Sequence, residues 1–146
     1  MLRVISTIDN FLDKDDLELY LSLVSKSKSS QTIIEDATIT DNFWMKYQSK
    51  LKDHHLDLVG IYPKITITNS KKPVIRHMDL KFEDERFKIL IYLNEVPNGG
   101  TIFYDDNPVL VDNKENRLVL FDITLHHQSH KFDTEIKKMA IGFRVY

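Results

Sequence analysis

From residue 58 to the C-terminus no helical period is sustained. Short apolar or alternating stretches are cut every few residues by Gly, Pro, Asn and Asp, and this punctuation narrows the fold more than any other feature. Residues 59–68 alternate, Asn69-Ser70-Lys71-Lys72-Pro73 breaks the run, and residues 74–79 resume it. Residues 88–93 read as a strongly apolar strand, Asn98-Gly99-Gly100 as a turn and residues 101–104 as its antiparallel return. Asp105-Asp106-Asn107-Pro108 turns the chain again into Val109-Leu110-Val111. Residues 116–127 follow as an apolar strand running out into a polar turn, and residues 139–146 as a final strand. Many short strands joined by turns predict a jelly roll, or double-stranded β-helix, in preference to a parallel α/β sheet.

The earlier part reads as support for that sheet. Residues 2–8 predict a strand, and Asp13-Lys14-Asp15-Asp16 predicts a helix start, because a carboxylate accepts hydrogen bonds from the free N–H groups there. Leu17, Tyr20, Leu21 and Val24 recur at helical spacing, residues 25–30 form a polar loop, and a second amphipathic helix is expected over about 41–54. Its Phe43, Trp44, Tyr47 and Leu51 are expected to dock on the sheet. With 146 residues the chain is expected to be one domain, about 1–57 helical support and 58–146 the jelly roll.

Lys and Arg number 20 against 22 acidic residues, for a formal charge of -2, so no nucleic-acid partner is expected. Cysteine is absent, which excludes disulfides and thiolate metal sites and fits a reducing, cytoplasmic location. The first ten residues contain no apolar run that predicts a signal peptide or a membrane span. Oligomeric state is left open.

The chemistry concentrates in His77-Met78-Asp79 and, fifty residues later, His127. In an extended strand residues i and i+2 share a face, so His77 and Asp79 can chelate one ion. Two imidazoles and a carboxylate are the ligand set of non-haem Fe(II) oxygenases, which leave positions open for co-substrate and O2. His126 and His127 cannot both reach that ion from a regular strand, since neighbours point to opposite faces. His130 is expected in the turn as a solvated side chain or as a partner of a ligand, and His54 and His55 as surface residues.

The last strand has two unlike faces. Met139, Ile141, Phe143 and Val145 form a core stripe, whereas Lys138, Ala140, Gly142, Arg144 and Tyr146 share the other. Two cations separated by very small side chains leave room for a dicarboxylic co-substrate whose far carboxylate is held by a long basic side chain.

In order along the chain, Ile75-Arg76-His77-Met78-Asp79, Lys88-Ile89-Leu90-Ile91-Tyr92-Leu93-Asn94, Gly99-Gly100-Thr101-Ile102-Phe103, the strand over 116–127 and the basic residue before the last strand resemble the Fe(II)/2-oxoglutarate-dependent dioxygenases, prolyl 4-hydroxylase-like branch. The resemblance covers about residues 58–146, and more loosely Ile8-Asp9-Asn10-Phe11-Leu12. It makes 58–146 a catalytic jelly roll and implies that His77, Asp79 and His127 bind iron, with His126 the alternative to His127. It further implies that Lys138 pairs with the distal carboxylate of 2-oxoglutarate and that Tyr92 lines the same pocket; Arg144, on the same strand face as Lys138, is the further cofactor-binding candidate. Ascorbate is an accessory reductant the resemblance allows. Leu90 and Leu120 are expected to form a dry apolar wall.

The implied reaction consumes O2 and 2-oxoglutarate, releases succinate and carbon dioxide, and hydroxylates a C–H bond, foremost of a prolyl residue in a peptide or protein. Free amino acids and other small molecules are the alternative substrates, and residues 69–73 and 80–87, with Arg76 and Lys81, are expected at the mouth. The Lys138-x5-Arg144 spacing resembles that of nucleic-acid dealkylating oxygenases, but their Asn-x-Tyr approach to the metal strand is replaced by Tyr62-Pro63. A metal-binding jelly roll without activity is the remaining reading, and it has no need of Lys138 with small neighbours.

Overall fold

Alternation in the strands places two hydrophobic layers on opposite sides of one large sheet, and this decides which residues meet the site. In the computed structural model, which describes residues 4–54, 57–73, 75–79, 84–130 and 135–146, β1 is Ile5–Ile8, α1 Lys14–Ser25, β2 Gln31–Glu35 and α2 Ala37–Lys52. There follow β3 (Ile61–Ser70), β4 (Phe87–Tyr92), β5 (Thr101–Tyr104), β6 (Pro108–Val111), β7 (Leu118–Asp122), β8 (His126–Ser129) and β9 (Lys138–Val145). Antiparallel pairing gives a six-stranded sheet, β1-β7-β4-β9-β3-β2, and a three-stranded sheet, β6-β5-β8. The expected double-stranded β-helix is what the chain forms.

One face of the large sheet carries Ile65, Ile67, Ile89, Ile91, Ile141 and Phe143 against the helices, where Phe11, Tyr20, Val24, Phe43, Tyr47 and Leu51 are buried. The rings of Phe43 and Phe143 stack at 4.1 Å, joining α2 to β9. Burial of such a ring contributes about 2–3 kcal/mol. The opposite face meets the small sheet through Tyr92, Phe103, Val119, Phe121, Leu125 and Ala140. Lys88, Leu90 and Tyr92 therefore point between the sheets, as do Lys138, Ala140 and Gly142.

Several local expectations are corrected. Asp13 is the N-cap of α1 but its side chain makes no cap hydrogen bond, because Lys46 takes the carboxylate at 2.9 Å. The second helix starts before residue 41 because Asp36 caps it, accepting from Ile39 N at 3.2 Å. Between the helices β2 was not anticipated; it pairs with β3 and forms an edge of the large sheet.

The predicted hairpin over 88–104 does not form. β4 lies between β7 and β9, while β5 lies between β6 and β8 in the other sheet. The connecting residues are held by Leu93 N to Met139 O and by Val96 N to Asn113 Oδ1, so the chain crosses between sheets. Gly100 is pressed against β6, where a Cβ would stand 2.3 Å from Val111 O. Nor is 116–127 one strand: β7 stops at Asp122, whose Oδ1 accepts from Thr124 N and Oγ1, and β8 starts in the other sheet. Residues 75–79 form no named strand; His77 makes an isolated bridge to His127.

Candidate metal centre

That single bridge assembles the site. His77 N donates to His127 O at 2.9 Å and His127 N to His77 O at 2.8 Å, which sets the two imidazoles side by side, ring centroids 4.3 Å apart. Each ring is oriented through its other nitrogen: His77 Nδ1 lies 2.8 Å from Ile75 O, and His127 Nδ1 lies 3.0 Å from Leu125 O. A carbonyl only accepts, so these contacts assign a proton to Nδ1 of each ring. In neutral His127 this leaves Nε2 as a lone pair, while His77 Nε2 faces Asp79 and offers its lone pair once any second proton is released. Asp79 completes the set, with Oδ1 3.4 Å from His77 Nε2 and Oδ2 3.6 Å from His127 Nε2.

One ligand atom from each of the three residues lies within 4.8 Å of the others. Adjacent ligands of an octahedral ion with bonds of about 2.1 Å stand roughly 3 Å apart, so the cluster is close to closed around one ion. Asp79 Oδ2 is buried, with no N–H or O–H of the backbone or of a neutral side chain donating to it. Among the described residues its nearest cation is Lys88 Nζ at 3.2 Å, and two imidazoles and a carboxylate converging on one point are a donor set that fits a metal.

The charges agree. Burial alone raises the Asp79 carboxyl, but His77, Lys88 and His127 together outweigh it and hold the group well below the usual carboxylate range. His77 is drawn upward by its contact with Asp79. Burial pushes the His127 imidazole down to about 4, so it stays neutral near pH 7, as a ligand must.

Beside the cluster a cleft of about 570 Å³, its solvent-open mouth included, is lined by Leu90, Phe121, Lys138, Ala140 and Gly142 among others. Lys138 is 5 % exposed, and burial pushes its ammonium down to about 8. It sits 5.3 Å from the centre of the Tyr92 ring, and no carboxylate among the described residues comes within 4.0 Å of it. Tyr92, expected to line the pocket, is fully buried behind it and is not among the lining residues; its hydroxyl is 2.5 Å from Thr101 Oγ1, which does line the cleft, and burial raises it to about 12. A buried cation beside a polar pair is a receptor for an anion.

The other expected residues are placed differently. His126 is exposed on β8, opposite Tyr104, and does not join the cluster. His130 is hydrogen-bonded to Asn98 O and His54 is exposed. Arg144 does not line the cleft; its guanidinium lies 2.7 Å from Glu85, which is 1 % exposed. Leu120 packs on the helix side, and Phe121 supplies the wall in its place. Arg76 stacks over Tyr104 at 4.0 Å. His55, Lys81 and residues 80–83 of the expected lid lie outside the described residues. Sequence reasoning missed Lys88, which lines the cleft with Nζ 3.2 Å from Asp79 Oδ2. The signal was available, since Lys88 falls two and four residues before Leu90 and Tyr92 on one strand face.

No protein-family model matches the chain, and no curated protein matches it. Solved structures do. An oxidoreductase of the 2OG-Fe(II) oxygenase family from Burkholderia pseudomallei is similar with a TM-score of 0.78 at 10% identity, over 97% of this chain and 83% of that one. The viral collagen prolyl hydroxylase of Paramecium Bursaria Chlorella virus-1, in its 2OG complex, gives 0.72 at 16% identity, over 97% and 94%. HygX of Streptomyces hygroscopicus, with nickel, 2-oxoglutarate and hygromycin B bound, gives 0.65 at 12% identity, over 97% and 82%. The fold of this chain is that of the 2-oxoglutarate, Fe(II) oxygenases, prolyl hydroxylases among them.

Proposed function

We propose that the chain, as one domain over 1–146, is an Fe(II)- and 2-oxoglutarate-dependent dioxygenase that hydroxylates a C–H bond, of a prolyl residue in a peptide or protein. The observation that carries this reading is one cleft that brings a three-ligand cluster of two imidazoles and a carboxylate together with a buried lysine that has no carboxylate within 4.0 Å among the described residues. His77, Asp79 and His127 would hold Fe(II), and Lys138 the far carboxylate of 2-oxoglutarate. When bound, iron, 2-oxoglutarate and O2 supply the oxidising chemistry, yielding succinate, carbon dioxide and a hydroxylated substrate.

The chain's own part is placement. The Nδ1 contacts to Ile75 O and Leu125 O fix both imidazoles before anything binds. The Tyr92 ring steadies the Lys138 ammonium, and the Tyr92–Thr101 hydrogen bond stiffens the wall beneath it. Leu90 and Phe121 keep that side of the cleft apolar and limit water. Arg144, committed to Glu85, speaks against the nucleic-acid dealkylating reading, which needs that cation in the cleft. Lys138, buried with no carboxylate within 4.0 Å among the described residues, speaks against a metal-binding module without activity.

Similarity to a collagen prolyl hydroxylase supports the prolyl substrate, and similarity to HygX keeps small molecules as the second reading. Aerobic incubation with Fe(II), 2-oxoglutarate and proline-containing peptides is the test. The expected result is succinate formed in step with one oxygen atom gained by the peptide, both lost in His127→Ala. Succinate stimulated by free amino acids and not by peptides would move the reading to a small-molecule hydroxylase. No succinate from any substrate would leave the binding module.

A further inference from the structure

Lys88 lines the same cleft as Lys138, and the oxygenase reading leaves it without a task. It enters from β4 beside Leu90 and is 8 % exposed. Its stem occupies the space left by Gly142: a Cβ there would stand 3.2 Å from Lys88 Cε. The small residue on β9 thus makes room for this lysine and not only for a co-substrate. Nζ lies 3.2 Å from Asp79 Oδ2, so its counter-charge in the metal-free protein is the carboxylate that a metal would also claim. Arg144, directly opposite Lys88 in the strand register, already holds Glu85. Among the described residues Asp79 is the one carboxylate within 4.0 Å of Lys88.

The charges in the cleft then fail to balance. Lys88 and Lys138 carry two positive charges, Asp79 carries one negative charge, and neutral imidazoles carry none. Fe(II) adds two positive charges and dianionic 2-oxoglutarate two negative ones. With Lys138 alone the loaded site would be neutral, so Lys88 leaves one buried positive charge in excess, a costly state unless an anion meets it. A metal held by Asp79 would share that carboxylate with Lys88, which sharpens the need.

We propose that Lys88 is an anion-binding residue at the metal end of the cleft and that the substrate carries a carboxylate which Lys88 receives. The inference rests on the oxygenase reading. In a peptide the group is an acidic neighbour of the hydroxylated residue or a chain terminus; in a small molecule it is the acid itself.

The test is anaerobic binding of matched acid and amide probes to protein loaded with Fe(II) and 2-oxoglutarate: acetate and acetamide, N-acetyl-L-proline and its carboxamide, acetyl-Pro-Glu-amide and acetyl-Pro-Gln-amide. Ionic strength is held constant and binding is read by calorimetry. At least one acid is expected to bind about tenfold or more tightly than its amide, as for a hydrogen bond to a charged group. The preference falls below about twofold in Lys88→Met and is retained in Lys88→Arg. Lys88→Gln replaces Lys88→Met if that variant does not fold. No acid preferred over its amide, or a preference that survives loss of Lys88, overturns the proposal. The visible band of the iron complex with 2-oxoglutarate is recorded before any probe is added. Its failure to form would be a failure of the oxygenase reading, separate from the behaviour of Lys88, and would remove the basis of this inference.

Discussion

Replacing Lys138 with methionine is expected to make the protein more stable and unable to hold a dicarboxylate. The ammonium is 5 % exposed, and burial draws its pKa from 10.5 to about 8. At about 1.4 kcal/mol per pH unit, holding that charge costs about 3 kcal/mol. Against this stands the Tyr92 ring, 5.3 Å from Nζ, which contributes about 1 kcal/mol. Methionine keeps most of the stem and removes the charge, so the expected net gain is about 2 kcal/mol at pH 7, a rise of about 4–8 °C in thermal midpoint. Between about pH 8 and pH 10.5 the unfolded chain still holds a proton that folded Lys138 has lost. Stability of the natural protein therefore rises through that window relative to the variant, and the gap closes by its upper end. With metal and 2-oxoglutarate present the order reverses, because the charge is then paired. Unfolding followed by circular dichroism from pH 7 to pH 10.5 measures both effects. A variant less stable than the natural protein at pH 7 without 2-oxoglutarate, or a gap that does not change with pH, would refute the reasoning.

Arg144→Met strands Glu85, which is 1 % exposed, and is expected to cost about 3 kcal/mol in urea unfolding. Its affinity for 2-oxoglutarate should be unchanged; a stable variant that has lost 2-oxoglutarate binding would place Arg144 in the cleft after all. Gly142→Ala is expected to cost about 1–2 kcal/mol because its Cβ meets the Lys88 stem. Part of that cost should vanish in Gly142→Ala combined with Lys88→Ala, and strict additivity would show that Lys88 is not the obstacle. Zn(II) affinity, measured by chelator competition, should fall about tenfold per pH unit below neutrality. His77, raised above its ordinary 6.5, must release one proton, whereas His127 remains neutral down to about 4. A fall of about a hundredfold per unit would mean that both imidazoles are protonated in the free protein.

Period-two alternation made the best-read parts of this chain legible. In β9 it separated Met139, Ile141, Phe143 and Val145, now against the helices, from Lys138, Ala140 and Gly142, now in the cleft. It could also have exposed Lys88, but a single lysine in an apolar run resembles the charge that protects an edge strand, and only pairing on both sides reveals β4 as central. Turn chemistry marked where the chain bends without saying which sheet receives it. Asn98-Gly99-Gly100 looks like a hairpin loop and is a crossing between sheets. Likewise His127 was readable as a residue near the end of an apolar strand, but its position on β8 depends on the Asp122–Thr124 turn. The His77–Asp79 pair needs no continuous strand, since one bridge to His127 supplies the geometry. β2, short and alternately exposed, carries too weak a pattern to stand out before β3 is there to pair with it.

Anaerobic titration of Fe(II)-loaded protein with 2-oxoglutarate, followed through the weak visible metal-to-ligand charge-transfer band, tests the central claim that His77, Asp79 and His127 hold one iron beside a dicarboxylate site. The account predicts a band that saturates at one equivalent, disappears in His127→Ala and persists in His126→Ala. A band that survives His127→Ala, or iron that binds while 2-oxoglutarate produces no band, would contradict it.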